Sequence, residues 1–129
     1  MALGITKITG TPMSAVSVSA SSTSWGTAIN AAVGEIFDSL RVQVSVTFDA
    51  AATGAAVIHR RKSADDGTTN SNLGTAILSI GAPASTTPQV QTIELVGGDY
   101  IEIGVENEDA TYDLTATVKY EGTKITGLD

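Results

Sequence analysis

The chain has 129 residues, seven basic and fourteen acidic side chains, a net charge of −7 and no cysteine. That length makes one domain, large enough to fold on a core of its own, and the missing thiols exclude disulfides, thiolate metal sites and cysteine nucleophiles. The acidity argues against nucleic acid as a partner, and no apolar run approaches the roughly 20 residues that cross a bilayer.

Residues 1–13 read as an N-terminal arm. Leu3, Ile5 and Ile8 are spaced by Gly4, Lys7 and Gly10, and Pro12 ends the segment. The opening residues lack a basic stretch followed by an apolar core, so no signal peptide is expected. The pentapeptide Thr-Lys-Ile-Thr-Gly stands at 6–10 and again at 123–127. It is either chance in a Thr- and Gly-rich chain or a pair of edge segments with matching roles at a subunit contact.

Val16 and Val18 alternate with serines, which predicts a strand over 15–20, followed by a Ser/Thr loop and Trp25. Residues 26–37 carry apolar side chains at helical spacing, but Gly34 would cost a helix interior about 1 kcal/mol against Ala. Loop and extended chain are expected there, with a strand resuming by Ile36 or Ser39. From Leu40 to Phe48 five apolar residues alternate with four polar ones. A period of two places one row on the core side and the other outside.

A strand over 55–62 follows, ending in Arg60, Arg61 and Lys62. Residues 63–72 form the strongest loop signal, built around the turn pair Asp66-Gly67. Short strands are predicted over 75–80 and 89–96, separated by a loop containing Pro83 and Pro88. Two clean alternating rows close the series, Ile101, Ile103 and Val105 over 100–107, then Leu114, Ala116 and Val118 over 112–120. Residues 122–129 read as a C-terminal arm around Ile125 and Leu128. The expected fold is all-β: an antiparallel β-sandwich over 14–121, jelly-roll-like, with seven or eight strands.

No catalytic motif is present. The single histidine, His59, has no Gly-x-Ser-x-Gly elbow to serve and cannot make a zinc site alone. Glu102 and Glu106 share a strand face but lie about 13–14 Å apart along it, too far for a glycosidase pair, so solvated carboxylates are expected. The loop 65–70 holds oxygen ligands without EF-hand spacing. Glu106, Glu108, Asp109 and Asp113 form an acidic corner, with Asp49 expected at the same end, and read as a hydrated turn; their repulsion would be relieved by a cation or a basic surface. Arg60, Arg61 and Lys62 hold three of the seven basic side chains and suit an acidic neighbour, such as that corner on another copy, or simply solvent. Trp25 suits a core or interface anchor better than a lone sugar platform.

Residues 39–49, 52–55, 63–68 and 100–107 together resemble small β-sandwich structural proteins of tailed bacteriophages. The match covers most of 36–120 and is a pattern of strands and turns. It implies a non-enzymatic virion component assembled in the host cytoplasm: a capsid decoration or cement protein, or a neck or tail accessory protein. It implies homo-oligomers that bind the major capsid or tail protein, with no cofactor, metal, nucleic acid or membrane. Leu3, Ile5, Ile8, Trp25, Arg60, Arg61, Lys62, Ile125 and Leu128 are the candidate interface residues. The alternative is a module binding carbohydrate or a host surface through Trp25, Tyr100 and the 65–72 loop.

Overall fold

The computed structural model describes residues 4–30, 36–62, 75–96 and 100–126. They form nine strands: β1 (Gly4–Val18), β2 (Thr23–Trp25), β3 (Ile29–Asn30), β4 (Ile36–Phe48), β5 (Ala56–Lys62), β6 (Thr75–Ile80), β7 (Gln89–Val96), β8 (Tyr100–Asn107) and β9 (Leu114–Thr126). One sheet runs β1-β9-β4-β7 and the other β2-β8-β5-β6, with β3 also on β8. All pairings are antiparallel. β2 and β3 act as two pieces of one interrupted strand, since Trp25 faces Gly104 and Ile29 faces Ile101 along β8. Counted so, eight strands pass repeatedly from one sheet to the other in jelly-roll order.

The alternation in β4 makes the sandwich. Leu40, Val42, Val44, Val46 and Phe48 are all buried, while Arg41 and Gln43 between them are exposed. Leu114, Ala116 and Val118 of β9 complete that sheet's inner face, and Ala56, Ile58, Ile101, Ile103 and Val105 face them from the other. Each fully buried Val or Ile contributes roughly 1.5–3 kcal/mol relative to exposure. That one core dictates which side chains are left outside.

β1 does not stop at Pro12. It runs through, pairing with β9 from Gly4↔Thr126 to Val18↔Leu114, so residues 4–13 and 122–126 of the segments expected as arms are the outer ends of one long strand pair. Proline is tolerated because β1 is an edge strand whose second side needs no ladder donor. The strand absorbs the irregularity with register shifts between Gly10 and Met13 and between Met13 and Val16. Inside the second shift Ala15 is left-handed at φ 48, which costs an L residue about 1 kcal/mol or more. Ala15→Gly is therefore expected to stabilise the fold by about 0.5–1 kcal/mol. A urea midpoint that stays or falls would contradict this.

Gly122 lies in β9 opposite both Ile8 and Leu40. A Cβ there would fall 2.1 Å from the Ser39 carbonyl oxygen and 3.0 Å from the Leu40 Cα. Backbone must move to admit it, so Gly122→Ala is expected to cost at least about 1–3 kcal/mol. Calorimetry would show this as a lowered Tm; an unchanged Tm would mean that β4 and β9 lie further apart.

Candidate interaction surfaces

The outer face of the β2-β8-β5-β6 sheet carries a closed cluster of polar and aromatic side chains. Gly104 makes room for it: a Cβ there would stand 2.8 Å from the Trp25 ring. Trp25 thus lies over β8, with the Arg61 guanidinium 4.0 Å from its ring centroid, a cation–π contact. Arg61 donates to Glu102 Oε1 from Nη2 at 2.7 Å and from Nε at 3.3 Å, and the Tyr100 hydroxyl donates to Glu102 Oε2 at 2.8 Å. His59 lies 6.4 Å from Trp25, centroid to centroid, and its Nε2 meets Glu106 Oε1 at 2.9 Å.

Glu102 was expected in solvent but is only 7% exposed. Its position outside the core is right; the Arg61 and Tyr100 side chains that cover it come from positions the local pattern does not link. Both of its oxygens are occupied, and the cluster presents no nucleophile beside a free base. It holds β2, β5 and β8 in register. Arg61, expected to meet an acidic neighbour such as another copy or simply solvent, forms this ion pair within its own chain. Arg60 is half-buried opposite Ile103 and Thr75, and the Lys62 backbone pairs with Ile101.

The acidic corner is not simply a hydrated turn. Asp109 is buried, and its carboxylate accepts four backbone N–H groups: Thr53 at 2.8 Å and Gly54 at 2.9 Å on Oδ2, Thr111 at 2.9 Å and Tyr112 at 2.8 Å on Oδ1. These bonds, Gly54's foremost, hold its carboxyl far below the ordinary value of 3.8. Neighbouring Asn107, also buried, donates to the Val18 and Tyr112 carbonyls and accepts from the Asp109 N–H. Asp113 accepts from the Ala20 N–H and Asp49 from the Ala51 N–H. Three of the corner's carboxylates therefore answer backbone donors of their own chain. The Asp-x-Thr-Tyr order at 109–112 is a legible turn signal; its second pair of donors, 55 and 56 residues earlier, is not.

The β1-β9-β4-β7 sheet turns a polar face outward. Arg41 bridges Glu121 at 3.2 Å and Glu94 at 3.6 Å beside an open groove of about 470 Å³ lined by residues including Thr9, Gln43, Lys119 and Tyr120. At the far end of this sheet Ile5 pairs with Ile125 and is 73% exposed, while Ile8 packs against the core. Leu3 and Leu128 lie outside the described residues, as does the 63–72 loop. Among the described residues no group of three or more His, Asp or Glu side chains is placed to hold a metal ion.

No family model matches the chain, and no curated protein matches it. Among solved structures, a chain from infectious bursal disease virus, Gx strain, is similar over 96% of this chain and 32% of its own, with a TM-score of 0.54 at 13% identity. A chain from the cowpea mosaic virus top component, naturally occurring empty particles, is similar over 73% of this chain and 58% of its own, with a TM-score of 0.48 at 8% identity. The chain thus spans about a third of the first and somewhat over half of the second. At these identities the likeness is one of fold, and the fold is an all-β sandwich of two antiparallel sheets.

Proposed function

We propose that this protein is a non-enzymatic structural component of a virus particle, a capsid decoration protein of a tailed phage. It works in the virion through contacts with copies of itself and with the major capsid protein. The observation that carries the reading is the likeness of nearly the whole sandwich to a chain from a virus structure. The closed polar clusters support it, because Glu102, Arg61, His59 and Asp109 are engaged in holding strands and turns together. A sugar-binding reading is less favoured: the Arg61 guanidinium occupies a face of the Trp25 ring on which a sugar would stack.

Particles that lack the protein, mixed with the purified chain and centrifuged through a density gradient, test the proposal. The chain is expected to sediment with the particles at a fixed ratio and to raise the temperature at which they release their contents. A chain that stays at the top of the gradient at every concentration would overturn it.

A further inference from the structure

We propose that the outer face of the β1-β9-β4-β7 sheet binds an acidic oligosaccharide, a sugar chain that carries carboxylates, across Arg41. The site goes beyond the structural role and is separate from the Trp25 cluster, which lies on the other sheet.

Two open grooves meet on this face. The larger, of about 470 Å³, and the smaller, of about 170 Å³, share Arg41 and Glu121 in their linings. The larger is in the size range of small-molecule sites and takes residues from all four strands of the sheet. Thr11 and Pro12 together oppose Lys119, since Gly10 faces Tyr120 and Met13 faces Val118. Such a bulge bends its strand, and Thr11 lines the groove at that bend.

Charge selects an anion. Three of the chain's seven basic side chains, Lys7, Arg41 and Lys119, line the two grooves against two carboxylates, Glu94 and Glu121. Both carboxylates lie on Arg41, at 3.6 and 3.2 Å. Lys7 and Lys119 are exposed, and among the described residues neither has an ion-pair partner. Lys7 stands opposite Thr123, four residues along β9 from Lys119. The two lysines therefore lie on either side of the Arg41 row, about 13–14 Å apart along the strands. The grooves are net positive on a chain of net charge −7, which draws an anion here and repels it elsewhere.

The lining selects a sugar. β4 and β9 are each paired on both sides, so their main-chain groups are taken up in the ladders and recognition falls to side chains. Those of Thr9, Thr11, Thr92 and Gln43 offer hydroxyls and an amide, each both donor and acceptor, the complement of a row of sugar hydroxyls. No Val, Leu, Ile or Met side chain lines the larger groove, which offers an apolar ligand little to bury against. An extended peptide adds to a sheet through main-chain bonds at an open edge, and β4 and β9 at the floor of the groove have none. Nucleic acid needs a broad basic surface, and two unpaired lysines do not make one.

Titration of the full chain with trigalacturonate, followed by amide NMR shifts and calorimetry, tests the site. The shifts are expected to map to β4, β9 and Thr92 around Arg41. The methyl ester of the same trisaccharide keeps the hydroxyls and loses the charges, and is expected to bind about five- to tenfold more weakly. Lys7→Gln and Lys119→Gln are each expected to weaken the acid about two- to fivefold and to leave the ester unchanged. Gln43→Ala, with circular dichroism unchanged, is expected to weaken acid and ester alike. Triglutamate, with as many side-chain carboxylates and no hydroxyls, is expected to leave these amides unshifted. Trigalacturonate that shifts no residue of this face would overturn the proposal. So would triglutamate binding as tightly at the same residues, or an ester that binds as well as the acid.

Discussion

Replacing Asp109 with alanine is expected to lower the thermal midpoint more than removal of any other described carboxylate. One side chain ties the connection between β4 and β5, through Thr53 and Gly54, to the turn between β8 and β9, through Thr111 and Tyr112. Its loss strands four backbone donors that the surrounding fold keeps from full hydration, and an unsatisfied donor is more costly than the bond it made. The site is tight as well: a Cβ on Gly54 would stand 2.4 Å from the Asp109 nitrogen. The pH dependence follows from the direction of the shift. The folded state favours the ionised carboxylate, so its contribution is complete above the unfolded value near 3.8 and is lost as pH falls below it towards the depressed folded value. The gap in urea midpoint between wild type and Asp109→Asn is therefore expected to be widest near neutrality and to narrow below about pH 4. A gap independent of pH would show that the carboxylate's charge plays no part.

Arg61→Leu is the second large effect. It removes the cation that faces Glu102, whose side chain is only 9% exposed. Breaking a buried ion pair from one side costs about 3–5 kcal/mol, because the remaining charge stays buried. The lower end, about 3 kcal/mol, is expected here, since the Arg61 side chain is itself 21% exposed. Trp25 loses its covering guanidinium at the same time, so its fluorescence should report the change in the folded protein. Adding Glu102→Gln to Arg61→Leu is expected to recover part of the loss, since a neutral amide is less costly to bury. A single variant as stable as wild type would mean that the pair is solvated and that this face is open.

The strands most legible in the sequence are those bounded on both sides by clear turn signals. Residues 75–80, 89–96 and 100–107 fall at the predicted boundaries, and the alternating row of β4 is buried as its period requires. β2 and β3, of three and two residues, are too short to show a period and exist because β8 offers them an edge. Pro12 looks like a terminator in the sequence, yet on an edge strand it removes a donor that nothing else uses. The chemistry of the surfaces was the least legible part. Arg61 and Glu102 are 41 residues apart, and Asp109 and Thr53 are 56 apart; sequence spacing carries no trace of such pairs until β5, β8 and the two turns are placed. Only 16% of the residues are charged, and nothing in their spacing shows that so many of them are used inside the chain.

The central claim is that this sandwich is a building block seated on a virus particle. An electron-microscopy map of particles shown by mass spectrometry to contain the chain tests it most directly. The account predicts repeated density on the outer surface that fits the two sheets, each copy touching the capsid shell and a neighbouring copy. Well-resolved particles whose surface shows no such density, with the chain recovered only from the unassembled fraction, would contradict it.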